Sequence, residues 1–257
     1  MGLILCIETS TEVCSVVLAR DEKIVAIRES AVRNVHSSML TIFIEEIIKS
    51  SGYPMDELDA ISVSMGPGSY TGLRIGVATA KGLCYALDKP LIAVSTLRAM
   101  AVGINYKLKI KNYLSEDEVQ SAKCKVQNVK LDSVVLVCPM IDARRMEVYS
   151  AVYNQENTEV REVRAEIIDG FSFQKFLSDN LVVFGGEGAD KCKPHLGDHP
   201  NAIFMEGFQP SARFMASLAE EKLRQHQFEN LAYFEPFYLK DFVAGKPRVK
   251  GLNQVAK

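Results

Sequence analysis

Apolar residues at the start of the chain recur in three short runs separated by polar breaks. The runs are Leu3 to Glu8, Cys14 to Ala19 and Ile24 to Arg28, and the breaks lie at 9–11 and 20–23. Short runs rich in β-branched residues and joined by tight breaks are typical of antiparallel strands. The sequence therefore predicts a three-stranded meander.

Helical periodicity begins near residue 36, and helices then alternate with strands. Polar residues at 34–37 can cap a helix that continues to Ser51 and ends at Gly52. The next predicted elements are a strand at 60–64, a glycine-rich turn at 66–71, a helix at 72–87, a strand at 91–94 and a helix at 96–104. The order β-β-β-α-β-α-β-α predicts an α/β protein.

Lysine-rich sequence with weak periodicity follows at 105–132, and we interpret it as an insertion or linker. Its lysines leave a nucleic-acid handle as the alternative: Lys107, Lys109, Lys111, Lys123, Lys125 and Lys130. We therefore predict an N-terminal lobe at 1–104 and a C-terminal lobe at 133–257, whose last helix can pack back on the first lobe. The second lobe has predicted strands at 134–141, 147–153, 159–168 and 181–184, and predicted helices at 173–178 and 211–227.

Composition and charge narrow the class of protein. Of 257 residues, 47% are hydrophobic and 24% charged, as in an ordinary globular chain. The net charge of -2 disfavours unaided nucleic-acid binding. No apolar run approaches the ~20 residues that span a bilayer, so we expect a cytoplasmic protein. Six cysteines without a Cys-x-x-Cys pair are expected to be reduced packing residues.

The glycine-rich turn allows two interpretations. It lies between a strand and a helix N-terminus, where free amides can hold a phosphate, but it lacks a P-loop ending. We favour a tight turn with close packing. The anion-binding alternative has five candidate residues: Thr9, Ser10, Gly66, Gly68 and Gly186.

Two predicted helices carry more apolar or small residues than packing against one sheet requires. Small residues recur at every fourth position from Gly68 to Ala80, where another backbone can approach closely. The preceding helix is apolar at seven of the ten positions in 39–48. Either a neighbouring helix of the chain or a protein partner covers the excess. The predicted partner-binding residues are Met39, Ile42, Phe43, Ile47, Gly72, Gly76 and Ala80.

Catalytic and metal signals are weak. Cys192, His195 and His199 have the spacing of half a zinc site, but prolines interrupt them and no second ligand pair is evident. Asp142 follows a predicted strand, where it can face a cleft, pair with an arginine or cap a turn. We predict no metal, no cofactor and no catalytic residue.

Five segments carry a family resemblance. They read ILCIETSTEVCSV at 4–16, MGPGSYTGLRIG at 65–76, VSTL at 94–97, IDAR with EVY at 141–149, and PFYLK at 236–240. In this order they resemble the TsaB family, also called YeaZ. The segment at 105–132 departs from the family pattern.

The resemblance implies a two-lobe actin-like, Hsp70-like (ASKHA) fold with a mixed β-sheet flanked by helices in each lobe. It also implies membership of the bacterial complex that adds threonylcarbamoyl to an adenosine beside the tRNA anticodon. In that complex the paralogue TsaD transfers the group, TsaC makes the activated intermediate and TsaE is an ATPase. The expected role is a non-catalytic scaffold that pairs with TsaD, meets TsaE through the complex, forms a homodimer when alone and contacts tRNA only indirectly.

Residues at the positions of TsaD's functional groups agree with this role. Where TsaD carries a pair of metal-binding histidines, this chain has Thr96 and Met100, which do not replace imidazole as ligands. Where TsaD has a glycine-rich phosphate turn, this chain has bulky side chains at 142–145. A nucleotide-dependent ATPase or kinase of the same fold and a metallopeptidase remain the alternatives.

Overall fold

The computed structural model describes residues 2–32, 36–111 and 135–240. Its ten strands are β1 Leu3–Glu8, β2 Cys14–Arg20, β3 Lys23–Ser30, β4 Ala60–Gly66, β5 Leu91–Ser95, β6 Val135–Asp142, β7 Glu147–Tyr153, β8 Glu159–Ile167, β9 Leu181–Gly185 and β10 Ala202–Met205. Its α-helices are α1 His36–Ser51, α2 Tyr70–Leu87, α3 Thr96–Lys111, α4 Gln174–Leu177, α5 Glu187–Leu196 and α6 Ala216–Arg224. Short 3-10 turns lie at Met55–Glu57 and Ala212–Met215.

The strands form two five-stranded mixed sheets with the same internal order. The first sheet runs β3-β2-β1-β4-β5 and the second runs β8-β7-β6-β9-β10. In each sheet the first three strands form an antiparallel meander, and the last two extend it in parallel. The predicted meander and the expected two-lobe actin-like fold, with a mixed sheet in each lobe, are confirmed.

Successive side chains of β1 point to opposite faces of the first sheet, and this divides the core into layers. Leu3, Leu5 and Ile7 face the layer formed by α1 and α2. Ile4 and Cys6 point to the opposite face, into a cluster shared with α3, α6 and the second sheet. Successive strand residues point to opposite faces, so a strand buried on both sides is apolar throughout. A third cluster packs α4 and α5 on the outer face of the second sheet.

The last helix packs against the first sheet. Lys222 Nζ donates a hydrogen bond to the Ala93 carbonyl at 2.8 Å, and the Gly2 amide donates to Glu220 Oε2 at 3.2 Å. Residues 228–240, which we call the C-terminal strap, continue over the first lobe. The Glu229 amide donates to the Leu91 carbonyl, and Phe234 enters the core under α1 and α2.

Helix α3 is longer than the predicted helix at 96–104. It continues to Lys111 because buried Asn105 donates from its amide to the Asn154 carbonyl at 3.0 Å and to Asn157 Oδ1 at 2.8 Å. These bonds hold the helix against the β7–β8 turn. Residues 112–132 of the predicted insertion lie outside the described residues, as do the predicted capping positions 34 and 35.

The sequence missed α5 and β10 and predicted only a turn at 185–188. Both elements are short, and Pro194 lies inside α5. Pro194 cannot donate a hydrogen bond to the Asp190 carbonyl, and the helix ends two residues later at Leu196. In the parts of the chain that the structure describes, no helix is long and apolar enough to cross a membrane.

Candidate functional site

The glycine-rich turn before α2 closes on the end of β1. The Ser69 amide donates to the Ser10 carbonyl at 2.6 Å, and a Cβ added at Gly68 would lie 2.3 Å from the same oxygen. Thr9 and Ser10 are fully buried under the turn. The close packing favoured from the sequence is what the structure shows. Close packing therefore accounts for Gly68 at this turn, and the anion-binding alternative for Thr9, Ser10 and Gly68 stays a prediction.

Gly66 and Gly186 are also covered by backbone. Gly66 has φ +111°, and a Cβ there would lie 2.7 Å from the Phe237 carbonyl oxygen. Gly186 has φ +109°, and its Cβ would lie 2.3 Å from the Met140 carbonyl oxygen. Glycine is required at both positions for conformation and close approach. Close backbone approach thus accounts for both glycines, and the anion-binding alternative for them stays a prediction.

Another backbone segment does pack against the small residues on α2, but it belongs to the same chain. A Cβ at Gly72 would lie 2.1 Å from the Thr9 carbonyl oxygen, and one at Gly76 would lie 2.2 Å from Thr9 Oγ1. Ala80 is buried against the first sheet. The prediction that Gly72, Gly76 and Ala80 contact a partner is corrected, because this side of α2 faces inward.

Helix α1 divides its predicted partner residues between two sides. Phe43 and Ile47 are buried in the core over the first sheet, which corrects their assignment to a partner surface. Met39 is half-buried and Ile42 is 44% exposed on the outer side. The apolar surface that the fold leaves uncovered on α1 is therefore narrower than the sequence suggested.

Helix α2 lies beside α1 on the same face of the sheet and has its own exposed side. Ala78 and Gly82 are exposed there, Ile75 is half-buried, and a Cβ added at Gly82 would meet no atom within 4 Å. Together the outward positions of the two helices form what we call the docking face: Met39, Ile42, Ile75, Ala78 and Gly82.

A buried carboxyl group lies at the end of β1. Glu8 Oε1 accepts a hydrogen bond from the Ser10 amide at 2.6 Å, while buried Oε2 has no hydrogen-bond partner among the described residues. Burial raises the pKa of Glu8 above its ordinary value, although hydrogen bonds from Ser10 oppose the shift. The environment therefore favours the neutral acid.

The connection between β6 and β7, residues 142–147, carries two arginines, and we call it the arginine turn. Asp142 caps it by accepting from the Arg144 amide at 2.6 Å, so the turn-capping interpretation of Asp142 is confirmed. Its ion pair is with Lys191 rather than an arginine. The Lys191 ammonium also donates to the carbonyls of Arg145 at 2.8 Å and Glu147 at 2.7 Å. Neither Lys191 nor its helix, α5, was predicted as part of the site from the sequence.

The C-terminal strap connects α2 to the arginine turn. The Tyr238 ring lies 5.0 Å from the Tyr70 ring, and Arg74 Nε donates to the Tyr238 hydroxyl at 3.3 Å. Lys240 forms an ion pair with Glu147. The resemblance at 236–240 marked this segment, but the sequence did not indicate its contacts.

The weak zinc-like spacing does not produce a cluster. Cys192 is buried in the core of the second lobe, and His199 Nδ1 accepts from the Asn201 amide at 3.2 Å. Within 2–32, 36–111 and 135–240, no three His, Cys, Asp or Glu side chains are grouped to hold a metal ion.

Comparison with known proteins finds relatives in tRNA threonylcarbamoyladenosine biosynthesis. A family model described as TsaD, tRNA N6-adenosine threonylcarbamoyltransferase, matches residues 26–113. The chain is 28% identical over 250 residues to the tRNA threonylcarbamoyladenosine biosynthesis protein TsaB of Escherichia coli, covering 95% of this chain and 96% of the relative. It is 29% identical over 256 residues to the Haemophilus influenzae protein of the same name, covering 95% of each.

A solved structure supports the fold. YeaZ from Pseudomonas aeruginosa superposes with a TM-score of 0.66 at 23% identity, covering 93% of this chain and all of that one. The similarity therefore extends through both lobes.

Proposed function

The chain belongs to the TsaB family of tRNA threonylcarbamoyladenosine biosynthesis proteins, and we propose that it is a non-catalytic scaffold that pairs with a TsaD-family transferase through the docking face. The observation that carries the proposal is the exposed apolar side of α1 and α2. Ile42 is 44% exposed beside half-buried Met39, and small residues on α2 leave room for another helix. Such a surface is typical of an interface.

The position of the docking face supports a TsaD-like partner. Both helices lie within residues 26–113, the segment that resembles the TsaD family. A partner of related fold presents equivalent helices, so two such layers can pack about a pseudo-two-fold axis. By the same reasoning the chain pairs with itself when no partner is present. A TsaE-like ATPase joins through the assembled complex.

The closed turn supports a non-catalytic role. Backbone amides at a glycine-rich turn before a helix are a common phosphate site, and here the turn is packed on Thr9 and Ser10. At the matching position of the second lobe, Asp142 and Lys191 occupy the arginine turn. The chain's own contacts thus close the turn before α2, which supports a role without a bound nucleotide.

Substitution of Ala78 tests the pairing. An Ala78→Arg variant places a bulky charge on the docking face, whereas Ala31→Arg places the same charge at an exposed position near Pro210 and Arg213. Isothermal titration calorimetry with a purified TsaD-family partner is expected to show about a 100-fold or greater loss of affinity for Ala78→Arg, the range of an interface hot spot. Equal affinities for the two variants would refute the docking face.

Two further measurements complete the test. Light scattering is expected to show a dimer for the parent chain and a monomer for Ala78→Arg, because homodimer and heterodimer use the same surface. Incubation of the purified chain with ATP and Mg²⁺ is expected to give no turnover. Hydrolysis by the chain alone would favour the ATPase alternative and contradict the non-catalytic role.

A further inference from the structure

The arginine turn presents two cationic side chains in a fixed position. Arg144 has φ +71° and Arg145 has φ +53°, so both residues occupy the left-handed region. Both are exposed, and among the described residues neither guanidinium makes a hydrogen bond or an ion pair. The turn therefore holds two arginine side chains whose donors are directed to solvent.

Contacts from two other segments immobilise this turn. The Lys191 ammonium on α5 binds Asp142 and the carbonyls of Arg145 and Glu147. Lys240 of the strap binds the Glu147 side chain. A pre-organised backbone reduces the entropy that a ligand must remove on binding. The conformation is unfavourable for arginine, and the surrounding contacts maintain it.

A group formed by exposed Arg74 and the half-buried rings of Tyr70 and Tyr238 lies at the other end of the same strap segment. The Arg74 guanidinium carbon lies 4.3 Å from the centre of the Tyr70 ring, and Tyr238 contacts both residues. Tyr238 and Lys240 are two residues apart, a span of at most about 7 Å. The stacked group and the arginine turn are therefore parts of one surface.

The charge of this surface is positive although the chain as a whole carries -2. Its cations are Arg74, Arg144, Arg145, Lys191 and Lys240, and its carboxylates are Asp142, Glu147 and Glu235. Asp142 and Glu147 are already paired with the two lysines. Arg74 faces Glu235, so Arg144 and Arg145 are the charges left for a ligand.

We propose that this surface, formed by the arginine turn, Tyr70, Arg74 and Tyr238, binds RNA directly. Arg144 and Arg145 contact phosphates, and the exposed guanidinium of Arg74, already stacked on Tyr70, offers a plane on which an unpaired base stacks. Interleaved arginine and tyrosine favour RNA over an acidic protein surface, which needs charge but no stacking plane. The identity of the RNA as tRNA rests on the proposed function, and a direct contact departs from the indirect role expected from the resemblance.

RNA affinity measured against salt tests the proposal. The probe is a fluorescently labelled tRNA transcript, and the full chain is titrated by fluorescence anisotropy from about 50 to 200 mM salt. Each lost phosphate contact lowers the slope of log affinity against log salt by about one, so Arg144→Gln/Arg145→Gln is expected to lower it by about two. The matched control, Arg164→Gln/Lys175→Gln, removes the same charge from exposed positions on β8 and α4 and is expected to leave the slope unchanged.

A separate variant tests the proposed base stacking. Tyr238→Ala removes the hydroxyl that holds the Arg74 guanidinium, and is expected to weaken RNA binding about tenfold with little change in the salt slope, because stacking involves no phosphate. A parent chain without measurable tRNA binding at the lowest salt would overturn the proposal, as would equal slopes for the two double variants.

Calorimetry with the TsaD-family partner separates this proposal from the docking face. Ala78→Arg is expected to lose pairing with the partner and to keep the parent's salt slope of RNA affinity. Arg144→Gln/Arg145→Gln is expected to keep pairing and to show a smaller salt slope. Loss of pairing by the arginine variant with unchanged RNA binding would instead identify the arginine turn as a protein contact and refute RNA binding there.

Discussion

The hydroxyl group of Thr9 donates a 2.8 Å hydrogen bond to the carbonyl oxygen of Gly72, which joins the end of β1 to the first turn of α2. Both groups are buried, so the bond would be costly to lose. One helical turn later, Gly76 faces the same Thr9 side chain. The glycines of α2 therefore serve the fold of this chain.

Enlarging Gly76 is expected to destabilise the folded chain. The added Cβ of Gly76→Ala would lie 2.2 Å from Thr9 Oγ1, so the Thr9 side chain must leave its hydrogen bond or α2 must shift. We expect the free energy of unfolding, measured by urea denaturation, to fall by about 1–3 kcal/mol. Gly82→Ala on the same helix meets no atom and is expected to gain about 0.5–1 kcal/mol. Equal changes in the two variants would contradict this packing.

Neutralising Glu8 is expected to change how stability depends on pH. Burial raises the pKa of Glu8, so the folded chain retains a proton that the unfolded chain loses above a pH of about 4.3. The stability from this group is present below that pH and is lost as pH rises through the folded pKa. Between the unfolded and the folded pKa of Glu8, the stability of Glu8→Gln relative to the parent should therefore rise by up to about 1.4 kcal/mol per pH unit.

Urea denaturation at about pH 4, 5.5 and 7 measures this difference. Glu57→Gln changes an exposed glutamate of the same lobe and serves as the control. A flat profile for Glu8→Gln would show that the Glu8 carboxyl is not desolvated.

The C-terminal strap is expected to stabilise the first lobe through one phenylalanine. Phe234 is 9% exposed in the core under α1 and α2, and Lys81 donates to its carbonyl at 3.1 Å. We expect Phe234→Ala to lower the free energy of unfolding by about 2–4 kcal/mol. Phe237, at 40% exposed, contacts Met65 through its backbone amide, so Phe237→Ala should cost about 1 kcal/mol or less. Thermal and urea denaturation would disprove the role of the strap if the two losses were similar.

Two arginines on β8 are expected to differ strongly in their contribution. Arg161 Nη2 donates to Glu166 Oε1 and to buried Ser150 Oγ, both at 2.6 Å, and its guanidinium carbon lies 4.4 Å from the Phe173 ring centre. Arg161→Met leaves Glu166 and Ser150 without this partner, and we expect a loss of about 2–4 kcal/mol.

The matched variant is Arg164→Met, which removes an exposed ion pair with Glu162. Exposed pairs contribute little, so the expected loss is below about 0.5 kcal/mol. Both values come from urea denaturation at moderate salt. A comparable loss at Arg164 would show that the position of Arg161 between the sheet and Phe173 is not what makes it important.

Local sequence was sufficient to locate most elements. Apolar runs and their breaks predicted the meander, Gly52 directly follows the last residue of α1, and the break at 88–90 directly follows the last residue of α2. These signals depend on backbone preferences of a few neighbouring residues. Helix α5 and strand β10 were missed because they are short and Pro194 weakens the helical pattern.

The sequence by itself determined the order of elements, the family resemblance and the presence of a helix side small enough for another backbone. Only the tertiary structure decided whose backbone lies there. Thr9 and Gly72 are 63 positions apart, and periodicity describes one helix without reference to what packs on it. For the same reason, the joining of Lys240 to Glu147 and the exposure of Arg144 and Arg145 follow from the folded chain, since contacts between distant segments leave no local pattern.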